Sequence, residues 1–264
     1  MPVPMYIVDA FAPEPFTGNS AGVCILEQAL PNRLMQKVAA ELGISETAFV
    51  QPLEGNNWSL RWFTPTVEVD LCGHATLATA HVLFESGRVS EGVVNFHTLS
   101  GVLVCRHMGE RIEMDFPAEP PQSVDPPPML IEGLGVRPAW VGKNRWDYIA
   151  VCESEDTVRT LRPDLAKLGR LPVRGVAVTA QASEGAEFDF VSRFFAPQSG
   201  IPEDPVTGSA HCGLGPYWSA KLGRNELIGY QASPRTGQVG TRVHAHGVTL
   251  SGKAFTVLRG ELLI

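Results

Sequence analysis

Arg61-Trp62-Phe63-Thr64-Pro65 returns as Arg193-Phe194-Phe195-Ala196-Pro197, an offset of 132 residues and half of the 264-residue chain. A small-residue tripeptide follows each copy, Gly73-His74-Ala75 and Gly208-Ser209-Ala210, now offset by 135. Two matches in the same order, with three residues inserted between them, point to duplication of a whole domain; the period is far too long for a solenoid. The chain is therefore read as two pseudo-symmetric halves, 1–117 and 118–264. Six prolines at 117, 120, 121, 126, 127 and 128 mark the join. Proline neither continues a helix nor donates within a central strand, so this stretch reads as a stiff, extended linker.

Working outward, each half repeats one order of elements. Residues 58–63 and 187–191 are aromatic-rich and partly alternating, as strands are. After each Pro comes a loop, then a glycine opening a helix. The first, 73–86, carries Ala75, Leu77, Ala78, Ala80, Val82, Leu83 and Phe84 around its whole circumference and stops at Gly87. A helix apolar all round is a buried helix. Its partner, 208–222, stops at Gly223 and contains Pro216, which predicts a kink. A surface helix over 33–42 ends at Gly43, and further strands are expected at 112–116 and 248–258. The fold class is α+β: in each half, a barrel-like sheet wrapped around one central helix.

Composition narrows the function. Hydrophobic residues at 44% allow a proper core, and 28 acidic against 21 basic side chains give a net charge of −7. An acidic chain without a Lys/Arg cluster is a poor partner for nucleic acid. No apolar run approaches the ~18 residues of a membrane span. Met1-Pro2-Val3-Pro4 lacks a basic start and an apolar stretch, so no secretion signal is expected. The five cysteines, at 24, 72, 105, 152 and 212, form no disulfide framework. These features together predict a cytoplasmic protein acting on a small molecule.

The polar candidates cluster at the two helix starts. A helix N-terminus offers unpaired N–H groups and partial positive charge to a carboxylate or phosphate. Gly73 and Gly208 would let a ligand approach the backbone; alternatively, they relieve crowding at a helix–strand junction. If the halves pack about a pseudo-two-fold axis, the two starts would face one another across a small anionic ligand. Cys72 and His74 flank Gly73; Asp204, Ser209, His211 and Cys212 surround Gly208. Pro205 pushes Asp204 toward an extended conformation, although taken alone this aspartate reads more readily as a plain turn or cap residue. His74 is either functional or a helix-cap histidine with a satisfied ring. Glu46, where the surface helix gives way to a strand, would by itself be an ordinary solvated carboxylate. Adjacent His211-Cys212 is awkward for zinc, so no metal is expected. Residues two apart at a helix start should point in different directions, which weighs against a Cys72–His74 nucleophile pair. There is no Walker loop and no G-x-G-x-x-G after a strand, so no nucleotide cofactor is expected either.

Taken together, these residues resemble the PhzF family, isomerase-like proteins of the diaminopimelate epimerase superfold. The resemblance runs through Asp9-Ala10-Phe11 with Gly18-Asn19 and through Ser45-Glu46-Thr47-Ala48-Phe49. It continues in Arg61 to Pro65 with Glu68 to Ala75, and closes with Phe195-Ala196-Pro197 and Glu203 to Ala210. It implies two barrel-and-helix domains with an active site between them, a homodimer, and chemistry without metal or organic cofactor. The family's acid/base glutamate falls on Glu46, its histidine on His74, its aspartate on Asp204 and its substrate-binding serine on Ser209. Gly73 and Gly208 match its helix-start glycines. In the phenazine-pathway member the substrate is trans-2,3-dihydro-3-hydroxyanthranilate. The run Thr207 to Cys212 with Pro216-Tyr217-Trp218 looks more like the family's uncharacterised branch, so the substrate expected here is a small cyclic or unsaturated carboxylate of that kind. His211 and Cys212 are expected to line the pocket.

The implied chemistry is proton transfer. A glutamate in a dry cleft is expected to have a raised pKa and to take and return a proton near neutral pH. Two rivals remain. Related epimerases use one cysteine from each half as opposing bases; Cys72 holds the first position, but Thr207 holds the second, and its hydroxyl is far too weak an acid. Cys72 then reads as a small buried side chain. The other rival is a non-catalytic binder of small carboxylates, which has little reason to aim Glu46 at an electropositive site.

Overall fold

A computed structural model describes residues 2–264. The chain forms two compact units, one of Met1–Asp115 with Ser251–Ile264 and one of Phe116–Leu250. Among the described residues, no helix is long and apolar enough to cross a membrane.

In the first unit the order is β1 (Val3–Ala10), β2 (Asn19–Ile25), α1 (Asn32–Leu42), β3 (Glu46–Pro52), β4 (Asn57–Phe63) and β5 (Glu68–Val69). There follow α2 (Gly73–Glu85), β6 (Val93–Thr98), β7 (Gly101–Met108) and β8 (Arg111–Phe116). β1 pairs antiparallel with β2, β2 parallel with β3, β3 antiparallel with β4, β4 parallel with β6, and β6 antiparallel with β7. Helix α2 buries nine of its thirteen residues, as its all-round apolar pattern requires. Helix α1 is one-sided: Met35, Val38 and Ala39 pack with Phe49 and Phe63, and Gly43 ends it in the left-handed conformation at φ 62°.

The second unit runs β9 (Gln122–Ser123), α3 (Pro128–Leu134), β10 (Trp140–Lys143), β11 (Asp147–Val151), α4 (Glu155–Thr160), α5 (Leu165–Leu168) and β12 (Gly175–Gln181). It continues with β13 (Phe190–Ala196), β14 (Ile201–Asp204), α6 (Gly208–Leu222), β15 (Glu226–Gln231), β16 (Gly237–His244) and β17 (Gly247–Gly252). Its pairing repeats the first unit's: β10 antiparallel with β11, β11 parallel with β12, β12 antiparallel with β13, β13 parallel with β15, β15 antiparallel with β16. The last strand, β18 (Ala254–Leu262), pairs antiparallel with β1. The end of the chain thus belongs to the first unit, whereas a division into plain halves assigns it to the second.

The repeated pentapeptide marks equivalent ion pairs. Arg61 makes a two-pronged contact with Glu68, both N···O distances 2.7 Å, and Arg193 does the same with Glu203 at 2.7 and 2.9 Å. The partners are seven residues apart in the first unit and ten in the second. The three extra residues fall between Pro197 and Glu203, a stretch that begins with a short 3₁₀ turn, Pro197–Ser199. Each pair clamps the segment that leads into the central helix.

Three local expectations differ from the structure. The strand expected at 187–191 begins at Phe190 and runs on to Ala196, and the one expected at 248–258 divides at Lys253 into β17 and β18. The proline stretch is not featureless: it contains β9, and Pro128 opens α3, where a missing N–H is harmless. Helix α6, by contrast, has its expected span with Pro216 inside it. Proline cannot donate to the carbonyl four residues back, and the freed Cys212 oxygen accepts from Glu119 N at 2.9 Å instead.

Candidate active site

The first unit brings Glu46 and His74 together. Glu46 opens β3, its position set by the parallel register Ala21↔Glu46. His74 is the second residue of α2, which follows Cys72 in an extended conformation. His74 Nε2 lies 3.2 Å from Glu46 Oε2, with both side chains largely withdrawn from water, at 9% and 15% exposure. The approach is that of an ion pair; its angle leaves both atoms short of a good hydrogen bond, and both are otherwise unpartnered. On the other edge of the ring, Cys72 Sγ lies 3.5 Å from His74 Nδ1. Cys72 and His74 are therefore neighbours, contrary to the expectation that they diverge, because Cys72 stands before the first turn at ψ 106° rather than within it.

The electrostatics correct a second expectation. Burial pushes the Glu46 carboxyl up, but the charge of His74 and the polar contacts of His74 and Cys72 outweigh it and hold its pKa below the ordinary value. Burial pushes the His74 imidazolium down, and the charges of Cys72 and Glu46 raise it well above the ordinary value. Burial raises the Cys72 thiol, and Glu46 raises it further, so at neutral pH the effective counter-charge for His74 is Glu46. The site at rest is carboxylate, imidazolium and thiol. The expected upward shift of Glu46 treats burial alone and omits the cation beside it.

Glu46, Cys72 and His74 offer one potential metal-ligand atom each, all within 4.8 Å of one another. Sulfur and carboxylate approach different nitrogens of the one imidazole, an arrangement that can pass a proton along the ring.

In the second unit, Gly208 is the first residue of α6 and Ser209, exposed, the second. Asp204 ends β14 and accepts a hydrogen bond from Thr207 Oγ1 at 2.5 Å. Gln231 on β15 braces this turn, accepting from Thr207 N at 2.9 Å and donating to Asp204 O at 2.8 Å. Thr207 is thus a fixed donor to Asp204, not a counterpart of Cys72. His211 and Cys212, expected to line the pocket, are instead core residues at 0% and 6% exposure. His211 Nδ1 donates to Thr207 O at 2.9 Å, and burial lowers its pKa to about 4, so it is neutral. One cluster escaped sequence reasoning: Arg174, before β12, bridges the carboxylate of Asp147 and the hydroxyl of Ser209. No local pattern announces it, since parallel strand pairing assembles it.

Comparison with known proteins agrees with this architecture. A family model described as phenazine biosynthesis-like protein matches residues 8–260. An uncharacterized isomerase of Halalkalibacterium halodurans is 49% identical over the whole of both chains. The crystal structure of a phenazine biosynthesis PhzF-family protein from Enterococcus faecalis superposes with a TM-score of 0.96 at 43% identity, covering all of both chains. A probable proline racemase from Agrobacterium radiobacter, at 12% identity and TM-score 0.63 over 99% of this chain and 93% of its own, shares the fold.

Proposed function

The chain belongs to the phenazine biosynthesis-like (PhzF) family and is an isomerase, and on that premise we propose that it moves a proton and a double bond on a small cyclic or unsaturated carboxylate. The observation that carries this reading is the buried Glu46–His74 pair at 3.2 Å. A carboxylate aimed at an imidazolium and sheltered from water is ionised at neutral pH and ready to accept a proton. Glu46 takes the proton from one carbon; the electron pair of that C–H bond shifts the adjacent double bond, and the proton returns to a second carbon. An enol formed in this way relaxes to the ketone. His74, charged at rest, balances Glu46 and supplies a proton donor beside it.

We assign Asp204 a catalytic role in holding the substrate's polar groups, and Gly73, Gly208 and Ser209 roles in binding. The compound of reference is trans-2,3-dihydro-3-hydroxyanthranilate. The protein acts in the cytoplasm as a homodimer, without metal or organic cofactor; sedimentation equilibrium tests the dimer. The assay for the reaction is deuterium incorporation from D₂O into that compound, by wild type and by Glu46→Gln.

A second reading, epimerisation through Cys72, draws support from the 3.5 Å contact between Cys72 Sγ and His74 Nδ1. Against it, the hydroxyl of Thr207 is committed to Asp204, and no second thiol stands at that position.

A further inference from the structure

The two units use equivalent places in the fold for different chemistry. In the first, β2 and β3 begin their parallel register at Ala21↔Glu46, and Glu46 reaches His74, the second residue of α2. In the second, β11 and β12 begin theirs at Asp147↔Gly175, and Arg174, the residue before Gly175, reaches Ser209, the second residue of α6. An acid/base pair occupies one helix start and an arginine–serine pair the other.

Arg174 is held firmly. Its Nε and Nη2 donate to the two carboxylate oxygens of Asp147, the first at 3.0 Å, and Asp147 is only 1% exposed. Asn144 Oδ1 fixes the aspartate's backbone by accepting from Asp147 N at 2.8 Å. The guanidinium lies over the Phe194 ring, 5.5 Å from its centroid. From this position Nη1 donates to Ser209 Oγ at 2.8 Å. A hydroxyl has one proton to give and two lone pairs to receive, while a guanidinium can only give. One lone pair of Ser209 is therefore taken, and its proton must go to another acceptor. Ser209 is exposed, so that acceptor comes from outside the chain. Donation from a cation polarises the hydroxyl and makes it a stronger donor, best matched to an anionic oxygen.

We propose that Arg174, anchored by Asp147, is a positioning residue that acts through Ser209 to select a carboxylate on the substrate. This rests on the reading of the protein as an isomerase of small carboxylates and assigns recognition of the carboxylate to one hydrogen-bond chain. Arg174 is not itself catalytic.

The test is calorimetric binding of two probes, anthranilate and anthranilamide, which differ in charge at one group. Wild type is expected to prefer the carboxylate about tenfold, the usual margin of a charged over a neutral hydrogen bond. Arg174→Gln and Ser209→Ala should each bring the ratio near one, and the double variant should lose no more than either alone, since both act through one bond. Arg174→Lys, which can still donate to Oγ, should keep part of the preference. If Arg174→Gln does not fold because Asp147 is left buried without its counter-charge, Ser209→Ala decides, as it leaves that ion pair intact. A preference retained in Ser209→Ala or Arg174→Gln, additive losses, or no preference in wild type would overturn the proposal. Glu46→Gln should keep the binding preference while losing deuterium exchange. Retained exchange in that variant would sink the Glu46 assignment without touching Arg174, so the two failures are distinguishable.

Discussion

His74 Nε2 sits 3.2 Å from Glu46 Oε2 at the N-terminus of a helix that is buried almost throughout. Two groups that separately would be driven neutral by burial keep each other charged, since each supplies what the other loses in leaving water. Glu46 belongs to a strand and His74 to a helix, so their approach depends on the packing of α2 against the sheet. The resting proton is on the imidazole and the resting negative charge on the carboxylate.

The pair predicts a pH profile. The kcat/KM of the free enzyme should hold across neutral pH, falling on the acid side below the ordinary glutamate value and on the alkaline side well above the ordinary histidine value. In His74→Ala the acid limb should move upward, because burial then acts on Glu46 with only the Cys72 contact against it. An acid limb unchanged in that variant would show that the two groups are not coupled.

Stability carries the same signature with opposite signs for the two partners. The depressed pKa of Glu46 contributes stability that is present above its unfolded value and is lost as pH falls through the folded one. The raised pKa of His74 contributes stability that is full below its unfolded value and is lost as pH rises through the folded one. Histidine-resolved NMR titration should place His74 above the ordinary value in wild type and lower in Glu46→Gln, where only Cys72 is left to oppose burial. A His74 pKa unmoved by Glu46→Gln would contradict the pairing.

Cys72 should be unreactive and dispensable for isomerisation. Its thiol is buried, and both burial and Glu46 raise its pKa, so little thiolate exists at pH 7. Iodoacetamide should label it slowly in the folded protein, and Cys72→Ala should keep isomerase activity within about tenfold, less than the ~10²–10⁴ that loss of a general base costs. Complete loss of activity with the fold intact would favour the thiol-dependent epimerase.

The two duplicated ion pairs should differ in worth. Arg193 is 7% exposed and also donates to the carbonyls of Leu161 and Val158, at 2.7 and 3.3 Å. Arg61 is 29% exposed. Removing Arg193 leaves the largely buried Glu203 carboxylate without its cation and takes a donor from two carbonyls, so Arg193→Ala should cost about 3–5 kcal/mol. Arg61→Ala should cost only about 1 kcal/mol. Urea denaturation measures both, and equal losses would contradict the burial argument.

Much of this architecture is legible in the chain. The central helices announce themselves by apolar residues on every side and a glycine stop, and the duplication by the repeated Arg-aromatic-Phe-x-Pro. What is illegible depends on distance in space. The sign of the Glu46 shift turns on a cation contributed by a different element. The Asp147–Arg174–Ser209 chain is assembled by parallel strands and a helix far apart in sequence. His211 looks like a site residue because it comes soon after Ser209, yet two further positions around α6 turn it into the core, toward Phe190.

The central claim is that Glu46 moves the proton. Proton NMR of trans-2,3-dihydro-3-hydroxyanthranilate in D₂O, with wild type and with Glu46→Gln of matched thermal stability, tests it most directly. Double-bond migration with deuterium incorporation in wild type, reduced by ~10²–10⁴-fold or lost in the variant, is the predicted result. Migration at the same rate in both proteins would contradict it.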